Sequence, residues 1–143
     1  MNEVNARLIV PRAGVGNFRA EADGRAWTGA TSRSAKTKLV RSLRAQFGRH
    51  LGVTWSYVLP DDVAADVRAY HNLLVEGRRG GGDRMMLGNE RLGVALQLID
   101  CRLSVAEAAY ALAITPAWLG RQLGVYASGE PVAIRVRNSN ARQ

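Results

Sequence analysis

Residues 104–123 leave little room for anything but two short helices and a tight turn, and the rest of the chain has to accommodate them. Ser104 is a residue type that caps helix N-termini, and Glu107 follows three positions later, the spacing of a capping box. Val105, Ala108, Ala109 and Leu112 recur at three- and four-residue steps, which marks one helical face. Ala113, Ile114, Thr115 and Pro116 then break the run. Thr115 can cap a second helix, and Pro116 fits its first turn because proline lacks an N–H that would be orphaned there anyway. Trp118, Leu119 and Leu123 give that helix an apolar face. The pattern is a helix-turn-helix, whose second helix enters the major groove in the DNA-binding proteins built on it.

The flanks extend the pattern over residues 91–135. Arg91, Leu92, Ala95, Leu98 and Ile99 precede it on one helix. Ser104, Glu107 and Ala109 lie on the next helix, and Trp118, Leu119, Arg121 and Leu123 on the last. Pro131 and Arg135 close the run. This series resembles the second helix-turn-helix of AraC/XylS-type transcriptional activators, over about a third of the chain. Ala113 stands where that family prefers Gly, Ile114 where it prefers Phe, and Leu119 and Leu123 replace Phe. The resemblance implies a DNA-binding regulator, with Arg121 as the recognition-helix arginine and a terminal helix from Pro131. Residues 132–137 also alternate apolar and basic side chains, which fits a strand.

With Leu119, Leu123 and much of Trp118 turned to the core, Thr115, Ala117, Arg121 and Gln122 remain as base-contacting candidates. Arg121 has the fork that grips guanine O6 and N7, and Gln122 suits adenine. One bidentate contact gives about 1–3 kcal/mol of discrimination, short of the roughly 4–10 kcal/mol that separates specific from non-specific binding. A second reading surface is therefore expected, most economically through a homodimer. The N-terminal half is too short for the sugar-binding barrel many AraC-type proteins carry, so no effector is implied.

The charge balance agrees. Lys+Arg number 20 against Asp+Glu 12, a net +8 that favours polyanions. No Asp or Glu occurs from 24 to 60, where residues 31–48 read as a basic helix with Leu39, Val40, Leu43 and Phe47 as its buried stripe. Thr31, Ser32 and Ser34 are alternative caps. Arg33, Lys36, Lys38, Arg41 and Arg44 are phosphate-contact candidates on and beside it, joined by Arg78, Arg79 and Arg135 further on.

Ahead of that helix, residues 5–10 read as a strand ended by Pro11, and residues 18–30 as a hairpin turning at Asp23-Gly24. Trp27 is read as a core anchor in preference to a base-stacking ring. Residues 52–59 are β-branched and aromatic, hence a strand. A helix opens at Pro60-Asp61-Asp62 and buries Val63, Val67, Tyr70 and Leu74. The three glycines within 76–84 mark a boundary. Residues 86–101 form the helix before the helix-turn-helix, with Leu92, Ala95, Leu96 and Ile99 buried.

The expected fold class is thus α+β. Residues 1–76 form a small sheet with two helices that pairs subunits or lies on the DNA backbone. Residues 77–84 are a Gly/Arg linker, 85–137 a helix-turn-helix DNA-binding module, and 138–143 a flexible tail.

Several chemistries find no support. Gly14-Val15-Gly16 lacks the rest of a phosphate-binding loop. His50 and His71 have no neighbouring ligand set, so neither metal nor cofactor is expected. The single Cys101 reads as a buried structural thiol and suits a reducing cytoplasm. No apolar run reaches the roughly 20 residues of a membrane helix. The chain is read as a cytoplasmic, non-enzymatic, sequence-specific double-stranded DNA-binding transcriptional regulator, with the transcription machinery as a further partner. The alternatives are an RNA or single-strand binder using the basic N-terminal half, and a protein-binding adaptor or inhibitor.

Overall fold

A computed structural model describes residues 2–13, 15–78 and 84–127. They build an α+β fold in the order β1 (Glu3–Ile9), β2 (Phe18–Ala22), β3 (Arg25–Gly29), α1 (Ser32–Phe47), β4 (Gly52–Val58), α2 (Asp61–Arg78), α3 (Arg84–Asp100), α4 (Val105–Leu112) and α5 (Pro116–Ala127). No described helix is long and apolar enough to cross a membrane. The chain divides into two compact units, Met1–Asp61 and Asp62–Gln143.

The N-terminal unit is one four-stranded sheet in the order β3-β2-β1-β4. β2 and β3 form the hairpin expected from Asp23-Gly24, with both turn residues at positive φ, 52° and 73°. That geometry matches the right-handed twist of the flanking strands. β1 pairs antiparallel with β2 and parallel with β4, so α1 lies on the crossover between the hairpin and β4. Ala6, Leu8, Phe18, Ala20 and Ala22 on the sheet and Ala35, Leu39 and Leu43 on α1 are all buried. Thr31 is the actual cap of α1: its Oγ1 accepts from the Ser34 N–H at 3.0 Å. Gly29 must be glycine, because a Cβ there would stand 2.7 Å from the Ala35 backbone nitrogen at the start of α1.

The other face of the sheet is polar. Glu21 on β2 accepts from Arg7 at 2.6 Å and Arg19 at 2.7 Å. Those two hydrogen bonds, Arg19's foremost, hold the Glu21 carboxyl below its ordinary range.

Trp27 corrects the sequence reading. It sits opposite Ala20 yet is 44% exposed. β3 is the edge of the sheet, so one flank of the ring has no neighbouring strand to cover it.

The C-terminal unit contains the other four described helices. Its boundary falls at Asp61/Asp62 and not in the glycine-rich segment at 77–84, so α2 belongs with the helix-turn-helix rather than with the sheet. The reason is α2's polar anchoring: the Tyr70 hydroxyl donates to the Leu112 carbonyl at 3.0 Å, and Asp66 accepts from the Gln97 amide at 2.9 Å. Among the described side chains of α3, Val94, Ala95 and Leu98 are fully buried, with Cys101 just beyond, and Leu92, Leu96 and Ile99 are half-buried. Apolar residues surround most of this helix, so periodicity alone did not fix its inward phase. The linker residues 79–83 and the tail 138–143 lie outside the described residues.

Candidate functional site

The helix-turn-helix is formed as local chemistry dictates. Ser104 Oγ accepts from the Glu107 N–H at 3.1 Å, and the Glu107 carboxylate accepts from the Ser104 N–H at 2.9 Å. Two N–H groups that α4 would otherwise leave orphaned are thereby satisfied. Ala108, Ala109 and Leu112 are buried and Val105 half-buried, as the spacing required.

Two Schellman turns set the directions of the helices. After α3, the Arg102 N–H donates to Ile99 O at 2.8 Å and the Leu103 N–H to Leu98 O at 3.3 Å, with Arg102 at φ 69°. After α4, the Ala113 N–H donates to Tyr110 O at 3.2 Å and the Ile114 N–H to Ala109 O at 3.0 Å, with Ala113 at φ 56°. Both left-handed positions suit glycine, yet neither holds one. Thr115 Oγ1 then accepts from the Trp118 N–H at 3.1 Å and starts α5. The helix runs to Ala127, past the expected end at residue 123.

Leu119 is fully buried and Trp118 and Leu123 half-buried, so α5 is fixed with one face inward. Ala117 and Arg121, one helical turn apart, are exposed; Gln122 is half-exposed and Thr115 exposed. These are the four base-contact candidates: Ala117 and Arg121 share one exposed face of α5, Gln122 follows on the next position round the helix, and Thr115 stands at its cap. Thr115's oxygen already serves the cap, so its remaining offer to a partner is its O–H. Gly120 and Gly124 share this helix, and a Cβ at either would meet nothing within 4 Å.

Behind α5 lies a clamp. The Arg91 Nε–H donates to the Tyr70 hydroxyl oxygen at 2.9 Å, and its guanidinium lies over the Tyr70 ring at 5.7 Å and the Trp118 ring at 5.4 Å. The same Tyr70 hydroxyl spends its proton on Leu112 O, at the end of α4. His71 donates from Nε2 to Ala111 O at 2.8 Å. One arginine thus connects α2, α3 and α5, while α2 holds the carbonyl end of α4. Sequence reading placed Arg91 and Trp118 in the module but missed Tyr70 and His71, because α2 is separated from them by the glycine-rich stretch. Tyr110, 72% exposed on α4, and Arg102, exposed at the turn entering α4, were also missed.

The phosphate-contact candidates divide. Arg33 and Arg41 on α1 are exposed and make no hydrogen bond or ion pair among the described residues. Three others are engaged within the unit. Lys36 lies over the rings of Trp55 at 5.2 Å and Tyr57 at 4.6 Å and donates to the Tyr57 hydroxyl. Lys38 donates to Thr28 O at 2.9 Å, and Arg44 to Leu51 O at 3.1 Å. The Arg78 side chain, Arg79, Arg135 and the whole 131–137 segment lie outside the described residues. Among the described residues no cluster of His, Cys, Asp or Glu could hold a metal ion. Cys101 is buried and in no disulfide.

The chain matches no family model, no curated protein and no solved structure.

Proposed function

We propose that this protein is a sequence-specific double-stranded DNA-binding transcriptional regulator that reads the major groove with α5. The observation that carries the reading is the capped α4–turn–α5 unit: Leu119 anchors it inward while Ala117 and Arg121 face outward from the same helix. Arg121 grips a guanine through N7 and O6, Gln122 contacts an adjacent base, and Ala117 meets a thymine methyl. α4 crosses the backbone, with Ser104 and the exposed Arg102 at its entry. The Arg91–Trp118 contact supports the likeness to AraC/XylS-type domains, since it joins two positions that carry the resemblance.

The reading is of a cytoplasmic binding protein and not of an enzyme. It works as a homodimer, because one recognition helix supplies too little discrimination by itself. Arg33 and Arg41 add sequence-independent phosphate contacts.

Selection of bound sequences from a random duplex pool at two salt concentrations tests this. The expected result is an enriched motif with palindromic symmetry, bound more weakly at higher salt. Salt-sensitive binding without enrichment would replace the reading with a backbone or single-strand binder. Absence of binding would point to a protein partner.

A further inference from the structure

The sheet of the N-terminal unit has two edges, and the chain treats them differently. In the two-residue hairpin, Ala22 and Arg25 form the first hydrogen-bonded pair, so alternation turns the main-chain groups of Ala26 and Thr28 to the outer edge of β3. Lys38 donates to that Thr28 carbonyl and sets its charge on the edge. A lysine in this place is a recognised block to strand addition.

The β4 edge meets a comparable cation at its start, where Arg44 donates to the outward Leu51 carbonyl at 3.1 Å; past that point, among the described residues, its main chain carries no such block. The Gly52 N–H donates to Asn2 O and the Val10 N–H to Val58 O, so the even-numbered residues of β4 bond to β1. Parallel pairing then turns the N–H and C=O of Val53, Trp55 and Tyr57 outward. Among the described residues, none bonds to the main chain of Val53 or Trp55. Along the β4-facing flank of α1 runs a shallow hollow of about 480 Å³ lined by Lys36, Thr37, Val40, Arg41 and Arg44. Trp55 and Tyr57 hold Lys36 in place, which lowers the entropy lost when it meets a partner.

We propose that the β4 edge and the α1 hollow together form a docking site for an extended, acidic segment of another protein, added to the sheet as a fifth strand. Alternating donors and acceptors on one edge are satisfied together by a polypeptide strand; a phosphate backbone offers acceptors alone. The acidic character follows from the hollow's cations and from the absence of Asp and Glu between residues 24 and 60. A second copy of this chain is a poor occupant, because symmetric β4–β4 pairing would bring two sets of Lys36, Arg41 and Arg44 together. The site is independent of the DNA-reading helix and stands or falls without it.

The test uses the full chain and a labelled seven-residue peptide of alternating Glu and Val, the length of β4. Fluorescence anisotropy reads binding, and hydrogen exchange reads the Val53 and Trp55 amides. The expected result is saturable binding that slows exchange at both amides. Replacing Glu by Lys in the peptide, or Arg41→Glu in the protein, weakens it about tenfold or more. Val53→Pro removes an edge donor and blocks binding. Should that variant unfold, N-methylation of the peptide still decides the matter: methyls on the nitrogens facing β4 abolish binding, and methyls on the other set do not. The proposal is overturned if the Glu/Val peptide fails to bind. It is also overturned if the peptide binds without protecting these amides. A concentration-dependent dimer that protects them unaided would do the same, as would equal protection by a random single-stranded DNA oligonucleotide.

Discussion

On α1, Lys36 lies against Trp55 and Tyr57, Lys38 holds the Thr28 carbonyl, and Arg44 holds Leu51; on α5, Arg121 stands exposed with no described partner. The first helix has more positive charge and the second has more of its charge to offer. Each engaged cation on α1 has its position and one donor fixed within the unit, so it can meet a phosphate only where that fixed geometry allows. A count of Lys and Arg along a sequence therefore overstates the surface that can meet a polyanion. The two helices thus differ in how much of their charge is already engaged, and substitutions on both sharpen or break that division.

The largest expected effect is on discrimination. Arg121→Ala should cost about 1–3 kcal/mol of preference between the selected motif and a scrambled duplex, with the helical circular dichroism signal unchanged. Lys38→Ala should leave that preference untouched. Equal losses in the two variants would erase the distinction between the helices.

Next is the clamp behind α5. Tyr70→Phe removes the donor to Leu112 O and the acceptor for Arg91, leaving a buried carbonyl unmatched. It should lower unfolding free energy in denaturant by about 1–2 kcal/mol. It should also weaken specific binding more than non-specific binding, since Trp118 loses the ordering of Arg91. A variant as stable as the parent would show that α2 does not support α5.

A smaller change has the opposite sign. Ala113 occupies a left-handed turn that costs an L-residue about 1–2 kcal/mol, while glycine pays part of that back in unfolded-chain entropy. Ala113→Gly should raise the melting temperature by an amount equivalent to about 0.5–1 kcal/mol. The reverse logic applies at Gly29, where an added Cβ meets the α1 backbone and Gly29→Ala should destabilise the sheet unit.

The smallest effect is in the salt dependence. Arg33→Ala should reduce the slope of log affinity against log salt by roughly 0.9, the value for one phosphate contact. Lys38→Ala, its ammonium held against the Thr28 carbonyl at the β3 edge, should reduce it less.

What the sequence disclosed was local. The Asp23-Gly24 hairpin, the Ser104–Glu107 box and the Thr115–Pro116 start of α5 each depend on residues within a few positions of one another, and each stands as the spacing dictates. What it withheld joins distant residues. Nothing near Tyr70 in sequence reveals that its hydroxyl meets Leu112 and Arg91, so spacing alone does not group α2 with the later helices. Nothing near Trp27 reveals that β3 is an edge, so its sequence neighbours give no sign that the ring is 44% exposed. Lys36 was legible as a cation but not as one held by two rings on β4. The inward and outward phase of α5 is legible because it follows from one helix and its own period, with Leu119 buried and Ala117 and Arg121 exposed.

The parallel pairing of β1 with β4 has a consequence in time. Its register joins Glu3 to Gly52, with the hairpin and all of α1 threaded between them. A ribosome completes β1 first, yet that strand waits on one side until β4 has left the exit tunnel. The helical unit, made later, bridges shorter stretches of chain between α3, α4 and α5 and can close each contact as it appears. Birth order and finishing order along this polypeptide are therefore not the same, and the segment with the longest wait is the one whose neighbour edge carries exposed Val58.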